Sequence, residues 1–192
     1  MAEEHGQVKD EKLDPEAELR RRLALAQIRQ YPDPALRLKA HEVGAFDDDL
    51  TQLVERMTKL MHDANGVGLA ANQVGILRRV LVFQPGADAE LRAVVNPRLV
   101  GRSDEVETDE EGCLSLQGVR VPVERPVGVR LEGRDPAGNE LLLDLDGLGA
   151  RVVQHELDHL DGVLMLDRAA PEHRRAALRA MHEAAVRGAA LS

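Results

Sequence analysis

His155 and His159 stand four residues apart, so on a helix of about 3.6 residues per turn they share a face and both imidazoles can hold one metal ion. Glu156 projects about 100° round the same helix, which puts a carboxylate beside such a metal rather than on it. That is how a water activated at a metal gains a general base. The plain alternative is an amphipathic helix: Val153, Leu157 and Leu160 gather on the opposite side, and the element packs whether or not it binds anything. A third ligand decides between the two.

The pattern H-E-x-x-H-x-x-G-x-x-H has its glycine at Gly162, but Met165 stands where a third histidine belongs. Downstream, Glu172 and Glu183 lie in a charge-mixed helical stretch that reads as solvated surface. Cys113 is the better candidate, set in the tight turn Glu111-Gly112-Cys113-Leu114-Ser115 after an acidic run. One thiolate and two imidazoles with an open fourth position form a catalytic geometry rather than a closed structural one. Gln73 offers a side-chain amide that can donate to an oxygen developing negative charge. The glycines of Gly66-Val67-Gly68 permit close backbone approach, so a substrate chain can lie there as an added strand.

Three separated stretches, Gly66 to Gln73, Glu111 to Ser115 and Gln154 to Gly162, give the chain its resemblance to the bacterial peptide deformylases with a C-terminal helix. These enzymes remove the formyl group from the N-terminal formylmethionine of new polypeptides and release formate. The resemblance runs from about residue 29 to residue 186. It implies Cys113, His155 and His159 as ligands of one metal per chain, iron(II) in the usual case, with zinc, nickel or cobalt able to substitute. By ligand chemistry alone, two imidazoles and a thiolate point to zinc. The resemblance further implies Glu156 as the base, with the Gln73 amide and the Leu114 backbone N–H meeting the oxyanion. Val67, Leu148 and Val152 match positions that line the family's methionine pocket, and each has core packing as its ordinary role. Glu111 and Arg120 are placed on the substrate side, with a salt bridge to the acidic run as the ordinary role of Arg120. Where many relatives carry proline two residues after the motif serine, this chain has Gln117.

What must position these residues is legible in outline. Leu50, Leu53, Val54, Met57, Leu60, Met61 and Ala64 follow helical spacing, with Asp47 to Asp49 at the start and Asn65-Gly66 as the stop. His62 reads as a surface or packing residue of this helix. Strands are expected at 79–83 and 91–95, with Asn96-Pro97 ending the pair, then at 119–123, 127–131 and 140–145. Ser103 to Glu111 carries six acids, most of which read as a solvated edge, with only Glu111 belonging to one of the motifs. Pro171 opens a last helix through Val186. The expectation is an α+β fold, antiparallel β-sheets around a central metal-binding helix with N- and C-terminal helices. Residues 1–26 form an extension, either helical from Asp14-Pro15 or a partly ordered tail, the second being expected, and residues 27–192 form a single catalytic domain.

Composition narrows the partners. A net charge of −9 and an aromatic set of Tyr31, Phe46 and Phe83 argue against a nucleic-acid module built on basic grooves and stacking. No stretch approaches the length of an apolar membrane span, and a single cysteine fits a reducing compartment, so a cytoplasmic protein is expected. The final helix carries Arg175, Arg179 and His182 on one face and Leu178, Met181 and Ala185 on another. Such a stripe is ordinarily solvation, while the resemblance implies docking on the ribosome near the peptide exit. Two other classes stay open: a zinc endopeptidase sharing the H-E-x-x-H helix, and a non-catalytic metal-binding module.

Overall fold

The computed structural model describes residues 3–5, 8–10 and 13–189, so residues 1, 2, 6, 7, 11 and 12 of the expected extension lie outside the described residues. A short antiparallel pair, β1 (Glu3–His5) and β2 (Val8–Asp10), precedes α1 (Pro15–Leu25). Asp14 caps α1 by accepting from the Ala17 N–H at 2.8 Å, and Pro15 occupies a position where no N–H is needed. Of the two expectations for this stretch, the helix is what forms. The boundary expected after residue 26 also shifts, because Ala24 and Leu25 are buried in one core with Ile28 and with α2 (Asp48–Asp63).

The helix α2 follows its sequence pattern. Asp47 accepts from the Leu50 N–H at 3.0 Å, Asp48 and Asp49 sit in the first turn, and Leu50, Leu53, Met57, Leu60 and Met61 are buried. His62 is exposed on this helix, its Nε2 2.8 Å from Gln84 Oε1. Asn65 then takes φ 56°, and the chain turns into β3 (Gly68–Ala70) and a 3-10 turn, Ala71–Val74.

A five-stranded antiparallel sheet is ordered β3-β4-β5-β8-β9, with β4 at Val80–Phe83, β5 at Arg92–Arg102, β8 at Gly128–Arg134 and β9 at Glu140–Asp146. Contrary to expectation, Asn96-Pro97 does not end β5. Asn96 takes φ 53°, its side chain accepts from the Val43 N–H at 2.8 Å and donates to the Val43 carbonyl at 2.9 Å, and the register shifts between Val95 and Arg98. The bulge accommodates Pro97 and the strand resumes. The acidic run is likewise a strand: β6 (Val106–Cys113) pairs along β7 (Leu116–Pro126), with Val106 to Glu110 exposed to water.

Helix α3 (Gly147–Leu160) packs against β3, β4, β8 and β9 and also touches β7 and the 3-10 turn. Its apolar side was expected from the sequence, but every residue from Gly149 to Leu160 is buried, so the histidine face is enclosed too. A buried Leu or Val contributes about 1.5–3 kcal/mol, which anchors α3 through Val152, Val153 and Leu160. Gly162 (φ 74°) ends the turn after α3 against the Arg37 carbonyl, where a Cβ would stand 2.5 Å from oxygen. Beyond it lie α4 (Met165–Arg168) and α5 (Pro171–Ala189), which contact β7.

Candidate metal centre

Two elements far apart in sequence meet at the centre. Cys113 is the last residue of β6, just before the turn into β7, and α3 carries His155 and His159. Cys113 Sγ lies 3.3 Å from His159 Nε2, which lies 3.2 Å from His155 Nε2. The three ligand atoms fall within 4.8 Å of one another, and all three residues are buried. A tetrahedral ion with metal–nitrogen bonds near 2.0–2.1 Å and a metal–sulfur bond near 2.3 Å needs ligand edges of about 3.3–3.6 Å. The residues present fit such an ion.

Electrostatics support the same conclusion. Burial disfavours charge on both imidazoles. At His155 the hydrogen bonds to Cys113 and Glu111 outweigh burial and hold the pKa well above its ordinary value, while burial and then the charge of His155 push His159 well below. Positive charge is thus stabilised between Cys113 and His155, where a cation would sit. His159 Nδ1 is buried with no hydrogen-bond partner, so its bonded nitrogen is the one that faces Cys113 and His155.

Glu111 does not face a substrate. Its Oε2 accepts from His155 Nδ1 at 2.8 Å, Arg125 engages both its oxygens at 2.7 and 2.9 Å, and Arg151 reaches Oε1 at 3.0 Å. Although burial opposes ionisation, Arg125 and His155 hold its carboxyl far below the usual carboxylate range. Arg125 also donates to Asp158 at 2.7 Å, and Asp158 accepts from Arg168 at 2.7 Å at the surface. His155, a candidate ligand, is therefore oriented by a buried chain of charges, a carboxylate–histidine arrangement that fixes ring and tautomer.

Glu156 is fully buried, and its carboxylate rests against Gly68, where a Cβ would stand 2.3 Å from Oε1. Gln73 Oε1 accepts from the Ala70 N–H at 2.9 Å, which turns Nε2 toward Ser115 Oγ (3.0 Å) and Cys113 Sγ (3.9 Å). Leu114 follows Cys113, with its side chain in the α2 core and its carbonyl accepting from Gln30 Nε2 at 3.0 Å. Val67, Val152 and Leu148 share the α3 core, the first two fully buried. Gly66 leads into β3, donating its N–H to the Met61 carbonyl at 2.8 Å. Arg120 lines a cavity of about 410 Å³ with Cys113 and Leu114. A cavity of about 420 Å³ between β5, β8 and β9 contains none of the ligands.

The sequence reading gave no role to Ser115, Arg125, Arg151 or Asp158. One signal was available for Arg125: it continues the row of Val121 and Val123, both buried, and alternate residues of a strand face one side. An arginine on an inward row requires a buried carboxylate.

Residues 25–175 match the polypeptide deformylase family. Peptide deformylase 1 of Corynebacterium glutamicum is 46% identical over 158 residues, covering 81% of this chain and 94% of the relative. The peptide deformylase of Natranaerobius thermophilus is 44% identical over 147 residues, covering 77% and 94%. Among solved structures, the peptide deformylase from Ehrlichia chaffeensis superimposes with a TM-score of 0.80 at 31% identity, covering 84% of this chain and 97% of that one.

Proposed function

The chain belongs to the peptide deformylase family, and from that premise we propose that it removes the N-terminal formyl group of formylmethionine from nascent polypeptides. The observation that carries this reading is the convergence of Cys113, His155 and His159, with the ring of His155 held by Glu111. A metalloendopeptidase of the H-E-x-x-H kind draws its third ligand from downstream, whereas Cys113 lies upstream on another element. A binding module would need neither Glu156 nor the Gln73 amide.

When bound at these three side chains, a divalent metal supplies the Lewis acidity that brings the pKa of a water toward neutrality. Glu156 takes the proton of that water as its oxygen bonds to the formyl carbon. Gln73 Nε2, released from Ser115, and the Leu114 N–H donate to the carbonyl oxygen as it becomes negative. As the C–N bond breaks, Glu156 returns the proton to the leaving amine, giving formate and a free methionine amine. The substrate backbone lies along Gly66 to Gly68, with the methionine side chain directed to Val67, Leu148 and Val152.

For the metal, we favour iron(II) on the family resemblance, over the zinc that the donor set alone would suggest. Arg175, Arg179 and His182 are exposed on α5, which supports this helix as the ribosome-facing surface of an enzyme working on nascent chains in the cytoplasm. No helix among the described residues is long and apolar enough to cross a membrane.

Protein purified anaerobically, with its metal quantified, should release formate from formyl-Met-Ala-Ser and leave casein intact. Casein cleavage without formate would instead establish the endopeptidase, and silence in both assays with metal bound would establish the binding module.

A further inference from the structure

Asn72 stands in the 3-10 turn between β3 and β4, one residue before Gln73, and is fully buried. Its side chain crosses to α3, where Nδ2 donates to the backbone carbonyl of His159 and, at 3.4 Å, to that of Leu38. The His159 carbonyl lies in the last turn of α3, where carbonyls run short of helical N–H partners, and Asn72 supplies a donor from outside the helix. Both carbonyls can only accept, which fixes the amide orientation and leaves Oδ1 as the remaining acceptor. Among the described residues, Oδ1 of Asn72 is the one buried side-chain oxygen without a hydrogen-bond partner. His159 Nδ1 is buried and unpartnered as well. Its Nε2 faces Cys113 and His155, so a metal bound through that nitrogen leaves the ring proton on Nδ1, which becomes a donor. One residue thus holds an unfilled acceptor and the other an unfilled donor, and the two are already hydrogen-bonded to each other.

We propose that Asn72 is a positioning residue for the metal centre: its Oδ1 accepts the His159 Nδ1 proton, directly or through one buried water, so that a single amide holds both the carbonyl and the ring of His159. The inference rests on the metal-centre reading given above and deepens it. A donor and an acceptor left unpaired away from water are costly, and either link satisfies both. Asn72 then does for His159 what Glu111 does for His155, with a neutral amide in place of a carboxylate. Because Gln73 is the next residue in the same turn, the link also ties the oxyanion donor to the helix that carries the ligands.

The test uses the full-length protein loaded with zinc, a diamagnetic probe, and carrying isotope-labelled histidine. Wild type should show two imidazole N–H signals protected from exchange with water, one from His155 and one from His159, and Glu111→Gln identifies the first by moving it. Asn72→Leu and the smaller Asn72→Ala should shift or abolish the His159 signal, keep that of His155, and weaken zinc about 10- to 100-fold in competition with a chelator. Asn72→Ser, which keeps a short side-chain oxygen, should lie between these variants and wild type. Val74→Ala, which thins the packing of the same turn in the α2 core, should lower stability in urea while leaving zinc affinity and both signals unchanged. Wild-type zinc affinity or an unmoved His159 signal in Asn72→Ala would overturn the proposal, as would an equal loss of affinity in Val74→Ala. Wild type that takes up no zinc would overturn the metal-centre reading and this inference with it. Formate release from the same wild-type preparation separates a failure of the deformylase reading from a failure of this one.

Discussion

His155 Nδ1 lies 2.8 Å from Glu111 Oε2, and this hydrogen bond aims the opposite ring nitrogen at His159 Nε2, 3.2 Å away. The carboxylate thus bears on the candidate metal site through His155 and is not one of its three candidate ligands. Glu111→Gln should weaken metal affinity about 10- to 100-fold, read by competition with a chelator. An unchanged affinity would mean that the ring is oriented by packing alone.

Gly68 supports Glu156 by having no side chain. A Cβ there would stand 2.3 Å from Glu156 Oε1 and 2.8 Å from Val152 Cγ1, so Gly68→Ala must displace the carboxylate. We expect kcat to fall on the order of ten- to a hundredfold with metal content unchanged. Full activity of that variant would show that Glu156 does not work from this position.

Asp167 ties the segment after α3 to the rest of the chain, accepting from the Leu164 N–H at 2.8 Å and pairing with Arg37. Burial raises its pKa, but Arg37, the Leu164 N–H and Arg174 together pull it below the ordinary value. A depressed carboxylate pKa stabilises the fold above the unfolded value of about 3.9, and that contribution is lost as pH falls through the lower folded value. Asp167→Asn should therefore be less stable than wild type at pH 7, with the difference closing below about pH 4 in urea unfolding. A gap of constant size across that range would contradict the assignment.

How much of this was legible depended on whether the cause was local. The i, i+4 placement of the histidines, the adjacent Glu156 and the capped helix α2 follow from helical geometry within a few residues, and both helices form where the spacing puts them. Cys113 could be named as a candidate ligand because it is the sole cysteine. Glu111 was misread, since its partners Arg125 and Arg151 lie 14 and 40 residues away and meet it only when β7 pairs with β6 and α3 closes over them. The persistence of β5 beyond Pro97 was hidden for a similar reason: it depends on Asn96 binding Val43, 53 residues earlier. The solvated character of this acidic run was legible, and its pairing with β7 was not, because a strand exposed on consecutive residues from Val106 to Glu110 lacks the apolar alternation that marks one.

In the proposed mechanism Cys113, His155 and His159 would hold the metal while Glu156 moves the proton. Metal content and formate release should be measured on the same preparations of wild type, Glu156→Ala and His159→Ala. Glu156→Ala should keep about one metal per chain and lose activity by about 10²- to 10⁴-fold, and His159→Ala should lose the metal itself. A Glu156→Ala protein that turns over normally or has lost its metal, or a His159→Ala protein with full occupancy, would contradict it.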